Sequence, residues 1–125
     1  QITTMMADSD LVELNVMGIM SSNLMLYRGL ADGGAIDLGE DDILRDVWLQ
    51  EDSVRAQSTG WIQGYFLTAY QPIAQDDLAS YAAFWRTSEG RAFNRALFAV
   101  FDQMYEEQSY LLGRAAADQM NGEEL

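Results

Sequence analysis

The 125-residue sequence has no histidine, no cysteine and no lysine, and it contains a single proline. Without histidine there is no imidazole base, no Ser-His-Asp triad and no histidine metal ligand. Without cysteine there is no thiolate nucleophile, disulfide or zinc-thiolate site, and without lysine there is no Schiff base or phosphate-loop lysine. The usual catalytic constellations are therefore excluded, so the sequence leans against an enzyme and predicts no cofactor.

Positive charge is also scarce, since 7 arginines stand against 20 acidic residues and give a formal net charge of −13. A chain with this charge repels phosphate backbones and anionic membrane surfaces. The charge balance therefore excludes nucleic acid as a partner.

Long apolar runs are missing too. The longest stretch without charge, residues 56–75, is interrupted by glutamine, serine and threonine and is closed by Pro72. We expect this stretch to be the buried part of a soluble helix, and no transmembrane segment is predicted.

The residues that are present suit one compact domain, with 49% hydrophobic and 11% aromatic side chains. A folded chain of 14.0 kDa is expected to expose about 6,700 Å², against about 20,000 Å² when unfolded. A single domain over residues 1–125 can therefore bury a core of its own.

Apolar residues recur at helical spacing almost throughout, and no segment alternates with a period of two for long. This pattern predicts an all-α, bundle-like domain of four antiparallel helices with short connections. The predicted helices run from Asp8–Asp10 to about Leu30, from Glu40 to Pro72, from about Gln75 to Arg86, and from Thr87 or Ser88 to near Met120.

The large apolar side chains of these helices are expected to face the core. They are Leu11, Leu14, Met17, Leu24 and Tyr27 in the first helix; Ile43, Val47, Val54, Trp61, Ile62, Tyr65 and Ala69 in the second; Leu78, Tyr81, Ala82 and Trp85 in the third; and Phe93, Leu97, Val100, Phe101, Met104, Leu111, Leu112 and Ala115 in the fourth.

A turn motif separates the last two predicted helices, in the string FWRTSEGR at residues 84–91. A capping Ser88 followed by Gly90 in the first helical turn allows two helices to meet in a tight corner. Phe84 is expected to help hold this corner in the core.

This string, preceded by Asp76-Asp77-Leu78, resembles the signature of the domain-of-unknown-function 2059 family. The wider pattern, from Leu11–Asn15 through Tyr27–Gly34 to Arg114–Ala117, is similar to the C-terminal half of longer alphaproteobacterial members. In that family a small residue or proline often separates the serine from the glycine, where this chain has Glu89. The resemblance implies the C-terminal part of an exported protein, a signal peptide removed upstream, and a periplasmic or secreted location. It supplies no established catalytic residues.

Arg86, Arg91 and Arg95 form a candidate anion-binding site, because three of the seven basic residues lie close together beside a predicted helix N-terminus. The alternative is that these arginines form ion pairs with Glu89, Asp102 or the acidic segment around Glu40.

Aromatic residues could line an apolar pocket between the helices, with Trp61, Tyr65, Tyr81 and Trp85 as the candidate lining. The alternative is an ordinary core. The wider aromatic set also includes Trp48, Phe66, Tyr70, Phe93 and Phe101.

No metal site is predicted. The acidic segment Asp32–Asp52 lacks the ligand spacing of an EF-hand loop, and Met17 and Met20 do not make a convergent thioether site. Asp102 and Glu106 lie one helical turn apart, but a like-charged pair needs burial and a raised pKa before it can act in acid-base chemistry.

These observations favour a non-catalytic helical envelope domain that acts by binding or scaffolding a protein. The alternative is a carrier of a small apolar or anionic ligand, held between the helices with Arg91 or Arg95 at the mouth. The partner is an unknown protein or small ligand, and the apolar helix faces allow a homodimer.

Overall fold

The computed structural model describes residues 2–123, and within that span the chain forms six α-helices and no strand. The all-α prediction is confirmed. In chain order the helices are α1 (Ile2–Asp8), α2 (Leu11–Asp32), α3 (Glu40–Trp48), α4 (Glu51–Tyr70), α5 (Gln75–Arg86) and α6 (Ser88–Glu123). None of them combines the length and hydropathy that a bilayer crossing requires.

The short helix α1 is absent from the sequence-based prediction. It is separated from α2 by a turn in which Asp10 has a φ of 54°, a left-handed conformation that aspartate adopts more readily than most residues. Met5 and Met6 of α1 are buried against Ile62, Phe66 and Leu78. α1 therefore closes one end of the core.

The single helix predicted from Glu40 to Pro72 is divided into α3 and α4 by a turn at Leu49 and Gln50. The Gln50 side chain donates to the Tyr27 hydroxyl (3.3 Å) and accepts from Asn23 Nδ2 (3.0 Å). These bonds fasten the break to α2, which lies far away in sequence. Gln50 contacts Asn23, whereas Arg55, farther along the chain, forms an ion pair with Glu13, which lies earlier in α2. α4 therefore runs antiparallel to α2.

The backbones of α2 and α6 are in direct contact. Gly29 lies directly against the backbone of Gly113, and Gly33 lies against Ala117. Gly33 follows Gly29 by four residues, and Ala117 follows Gly113 by four residues. Both chains therefore advance in the same direction along the contact, and α2 and α6 run parallel. The predicted antiparallel arrangement does not hold for this pair of helices. The described residues form six helices where the sequence predicted four.

The burial of α6 differs from the prediction as well. Most of its large apolar residues are exposed, including Val100 at 69% and Leu111 at 65%, whereas Asn94, Gly113 and Ala117 are buried. The physical reason is that small residues allow the backbones to approach closely, so they form the contact line and the large side chains point elsewhere.

One residue of α2 and one segment of α4 are also less buried than expected. Met17 on α2 is 63% exposed. Within residues 56–70, only Ser58, Ile62 and Phe66 are buried, so the uncharged stretch is not the buried segment that the sequence suggested.

The contact at Gly29 can be tested with an added methyl group. A Cβ there would lie 3.0 Å from the Arg114 amide nitrogen and 3.1 Å from Gly113 Cα, and both are backbone atoms that can move only with the helix. We expect Gly29→Ala to lower the free energy of unfolding by about 1–3 kcal/mol in urea titrations followed by circular dichroism.

Gly60→Ala is the matched control, because a Cβ at Gly60 would meet nothing within 4 Å. It should stabilise the chain by up to about 1 kcal/mol through helix propensity alone. Equal effects of the two substitutions would contradict the close packing of α2 on α6.

Candidate functional site

An open apolar groove of about 960 Å³ runs along α2 between α4 and α6. Its floor is one face of α2, from Leu11 through Gly18 and Ile19 to Asn23. Both α4 and α6 pack against α2 and form the walls, while α1 and α5 close one end. The groove is thus the space above α2 that lies between α4 and α6 and that no other described helix fills.

The α4 wall is aromatic. Trp61 and Tyr65 are one turn apart and stack with ring centroids 5.4 Å apart. They remain 66% and 53% exposed, because the next residues along the chain, Ile62 and Phe66, are the ones that enter the core. The two rings therefore present their apolar surface to the groove and to solvent.

The closed end of the groove is built from a chain of aromatic contacts. The rings of Phe66, Tyr70, Tyr81 and Trp85 follow one another with centroid separations of 5.1, 5.7 and 5.6 Å. Burial, together with a hydrogen bond to Tyr81, raises the pKa of the Tyr70 hydroxyl well above its usual value. The described side chains that line this end include no carboxylate and no guanidinium group.

The α6 wall is fastened to the α1–α2 turn by Asn94. This side chain is buried, and its Nδ2 donates to the Ser9 carbonyl oxygen at 2.9 Å. Beyond Asn94 the wall continues through Leu97, Phe98 and Phe101. A buried amide thus fixes where the apolar part of α6 lies relative to the floor.

Asp102 is the only charged side chain among the described residues that line the groove. Its carboxylate lies against α2 at Gly18, where a Cβ would stand 2.5 Å from Oδ1. Among residues 2–123 it accepts no hydrogen bond and forms no ion pair. Partial burial, and to a lesser extent Glu106, raise the pKa of Asp102.

The structure brings together all four residues of the candidate pocket lining: Trp61, Tyr65, Tyr81 and Trp85 line the groove. From the wider aromatic set, Phe66, Tyr70 and Phe101 join them. Trp48 and Phe93 do not.

The three arginines of the candidate anion site differ in what they contact. Arg86 forms an ion pair with Asp8, with 2.6 Å between Nε and Oδ2, and Glu40 pairs with Arg28 instead. Arg91 and Arg95 are exposed, form no ion pair within the described chain, and do not line the groove.

The helix after the turn motif is capped by Thr87, one of the two residues, Thr87 and Ser88, that the sequence offered for its start. Thr87 Oγ1 accepts from the Gly90 amide at 3.0 Å and donates to the Phe84 carbonyl at 2.6 Å, whereas the Ser88 hydroxyl donates to Glu89. Gly90 is buried against Phe84 and Trp85, where a Cβ would lie 3.1 Å from Trp85 Cα. The tight corner is present, and of the two predicted caps Thr87 is the one that is used. Phe84, which was expected to help hold the corner in the core, is 44% exposed.

Sequence reasoning missed Asn94 and the placement of Asp102 on Gly18. A signal for both exists, because Asn94, Asp102, Ser109, Gly113 and Ala117 follow one another at spacings of one or two helical turns and therefore share one face of α6. Such a stripe through an otherwise apolar helix marks a line of close contact.

No group of three or more acidic side chains in the described part of the chain is placed to hold a metal ion.

Comparison with known protein families, curated proteins and solved structures finds no match to this chain. The resemblance to the domain-of-unknown-function 2059 family therefore stays a prediction.

The raised pKa of Asp102 predicts a pH-dependent effect of Asp102→Asn. The folded-state pKa lies above the usual value of 3.8, so the ionised carboxylate costs folding free energy at neutral pH, and this cost disappears once the group is protonated in both states. We expect Asp102→Asn to raise the free energy of unfolding by up to about 1 kcal/mol at neutral pH. The gain should vanish below pH 3.8 in urea titrations at a series of pH values.

Asp118→Asn is the control, because it removes an exposed carboxylate of the same helix outside the groove. An equal gain in that variant would show that net charge, and not the position of Asp102, is responsible.

Proposed function

We propose that this chain is a protein-binding domain and that its groove receives an amphipathic helix of a partner protein. The observation that carries the proposal is the unfilled groove along α2, with aromatic and aliphatic side chains exposed on both walls. Contiguous exposed apolar surface of this kind is typical of interaction sites.

The dimensions suit a helix. The floor from Leu11 to Asn23 is about 18 Å long, and the α6 wall from Asn94 to Ser109 is about 22 Å long, at 1.5 Å per residue. A partner helix of about 12–15 residues spans that length. Helices bound in grooves are anchored through apolar residues at positions i, i+3, i+4 and i+7.

The exposed surface also supports a partner. The chain exposes 8221 Å², about 1,500 Å² more than a compact monomer of its mass is expected to expose. Each partner in a standard protein interface contributes about 800 Å². The extra surface is therefore more than one such interface requires.

The wall formed by α6 supports the same conclusion. Residues 92–105 include only two charged side chains, Arg95 and Asp102, so this part of the helix is apolar on most sides. A helix that is apolar all round is normally buried, yet Leu97, Phe101 and Tyr105 on the groove wall are 42%, 44% and 51% exposed.

Charge indicates the chemistry of the partner. With a net charge of −13, the chain attracts a helix whose polar face is basic and repels one whose polar face is acidic. We therefore assign the occupant as an amphipathic helix with lysine or arginine on its solvent-facing side.

A small-molecule carrier is the second candidate, because 960 Å³ falls at the upper end of the range for ligand sites, about 300–1,000 Å³. The exposed walls favour a polypeptide instead, since ligand sites cover most of the ligand surface. No arginine lines the groove, so the head group of an anionic ligand would meet Asp102.

The proposal keeps the periplasmic or secreted location that the family resemblance implies. Fractionation of host cells expressing the full-length protein tests it, and recovery in the cytoplasm would contradict it.

Site-specific photo-crosslinking in the native host tests the function. A photoreactive residue placed at Leu97, inside the groove, should crosslink to a helical segment of another protein, identified by mass spectrometry. The crosslink should be lost in Trp61→Glu, because a carboxylate on the α4 wall opposes burial of an apolar helix face.

Trp48→Glu is the matched control, since Trp48 is 64% exposed, nearly as much as Trp61, but lies outside the groove. It should leave the crosslink unchanged. A crosslink only to a lipid or small molecule would favour the carrier, and one only to a second copy of this chain would favour a homodimer; either result would contradict the proposed helix partner.

A further inference from the structure

We infer that Asp102 determines which helix enters the groove, by forming an ion pair with a lysine or arginine side chain on the apolar face of that helix. This inference rests on the proposed function and adds the position that sets the register of the bound helix.

Asp102 is a charged residue within the apolar wall that α6 contributes to the groove. It follows Phe98 by one turn on the groove-lining face of α6 and stands beside Phe101, so a carboxylate interrupts an apolar wall. On the floor opposite, Gly18 has no side chain, and a Cβ there would meet Oδ1 at 2.5 Å. The glycine therefore leaves the space that the carboxylate occupies.

The Asp102 carboxylate has no counter-ion among the described residues. Arg28, Arg45, Arg55 and Arg86 form ion pairs with other carboxylates, and no arginine of residues 2–123 pairs with Asp102. The neighbouring acid, Glu106, adds negative charge. A partly buried carboxylate without a partner is costly, and covering the groove with an apolar helix would increase that cost.

A basic side chain on the incoming helix removes this cost. Its alkyl stem can lie along the aromatic walls while its charged end reaches the carboxylate. A helix without such a residue would leave Asp102 buried and unpaired, so the groove discriminates against it.

The test is a selection from a library of helical peptides of about 16 residues, randomised on one face, against the immobilised 125-residue chain. Peptides that bind in the groove are identified by loss of binding to Trp61→Glu and retention by Trp48→Glu. We expect these peptides to share a lysine or arginine at one position inside their apolar stripe.

A selected peptide and its version with norleucine in place of the basic residue are then titrated against the wild type and Asp102→Asn. The basic peptide should bind Asp102→Asn at least about tenfold more weakly than the wild type, while the norleucine peptide should bind both proteins to within about threefold. Asp118→Asn should behave as the wild type, because it removes the same charge from outside the groove. Circular dichroism and urea unfolding confirm that each variant is folded.

The selection and the titrations distinguish failure of the proposed function from failure of the role assigned to Asp102. If the selection yields no peptide whose binding depends on Trp61, the proposed helix-binding function fails and the inference falls with it. If peptides depend on Trp61 but share no basic residue in the apolar stripe, or bind Asp102→Asn as tightly as the wild type, only the assignment of Asp102 is overturned.

Discussion

The direct backbone contact between α2 and α6 at Gly29 and Gly113 determines how the rest of the chain is arranged. With no Cβ on either residue, the two helices lie close together and parallel. The intervening chain must then return to bring α6 to the same end as the start of α2, which α3 and α4 do by running back along α2. The groove follows from the same contact, because small residues hold α6 to α2 while its large apolar residues remain uncovered.

The sequence predicts best the features that depend on neighbouring residues. The bounds of α5 agree with the prediction, because Asp76 at its start and Thr87 at its end are local signals. Periodicity showed that α6 is a helix with an apolar face, but it could not show that another face, marked by Gly113 and Ala117, contacts α2. The break at Gln50 depends on hydrogen bonds to side chains of α2, which no local pattern records.

The candidate site divides in the same way. The residue types and their spacing were enough to predict that Trp61 and Tyr65 line a groove, since aromatic side chains one helical turn apart can stack on each other. The arginines show the limit of that reasoning, because no local pattern could indicate that Arg86 pairs with Asp8, 78 positions earlier in the chain. The placement of Asp102 depends on a glycine in a different helix, so only the folded structure relates it to the groove.

The parallel pairing of α2 with α6 also bears on how the chain folds. Helical proteins usually fold through contacts between residues close in sequence, but here the main interhelical contact joins segments separated by three other helices. Closing so long a loop costs conformational entropy before any contact compensates for it. During synthesis, α2 leaves the ribosome well before α6 exists, so its glycine-lined face stays uncovered until α6 has been made.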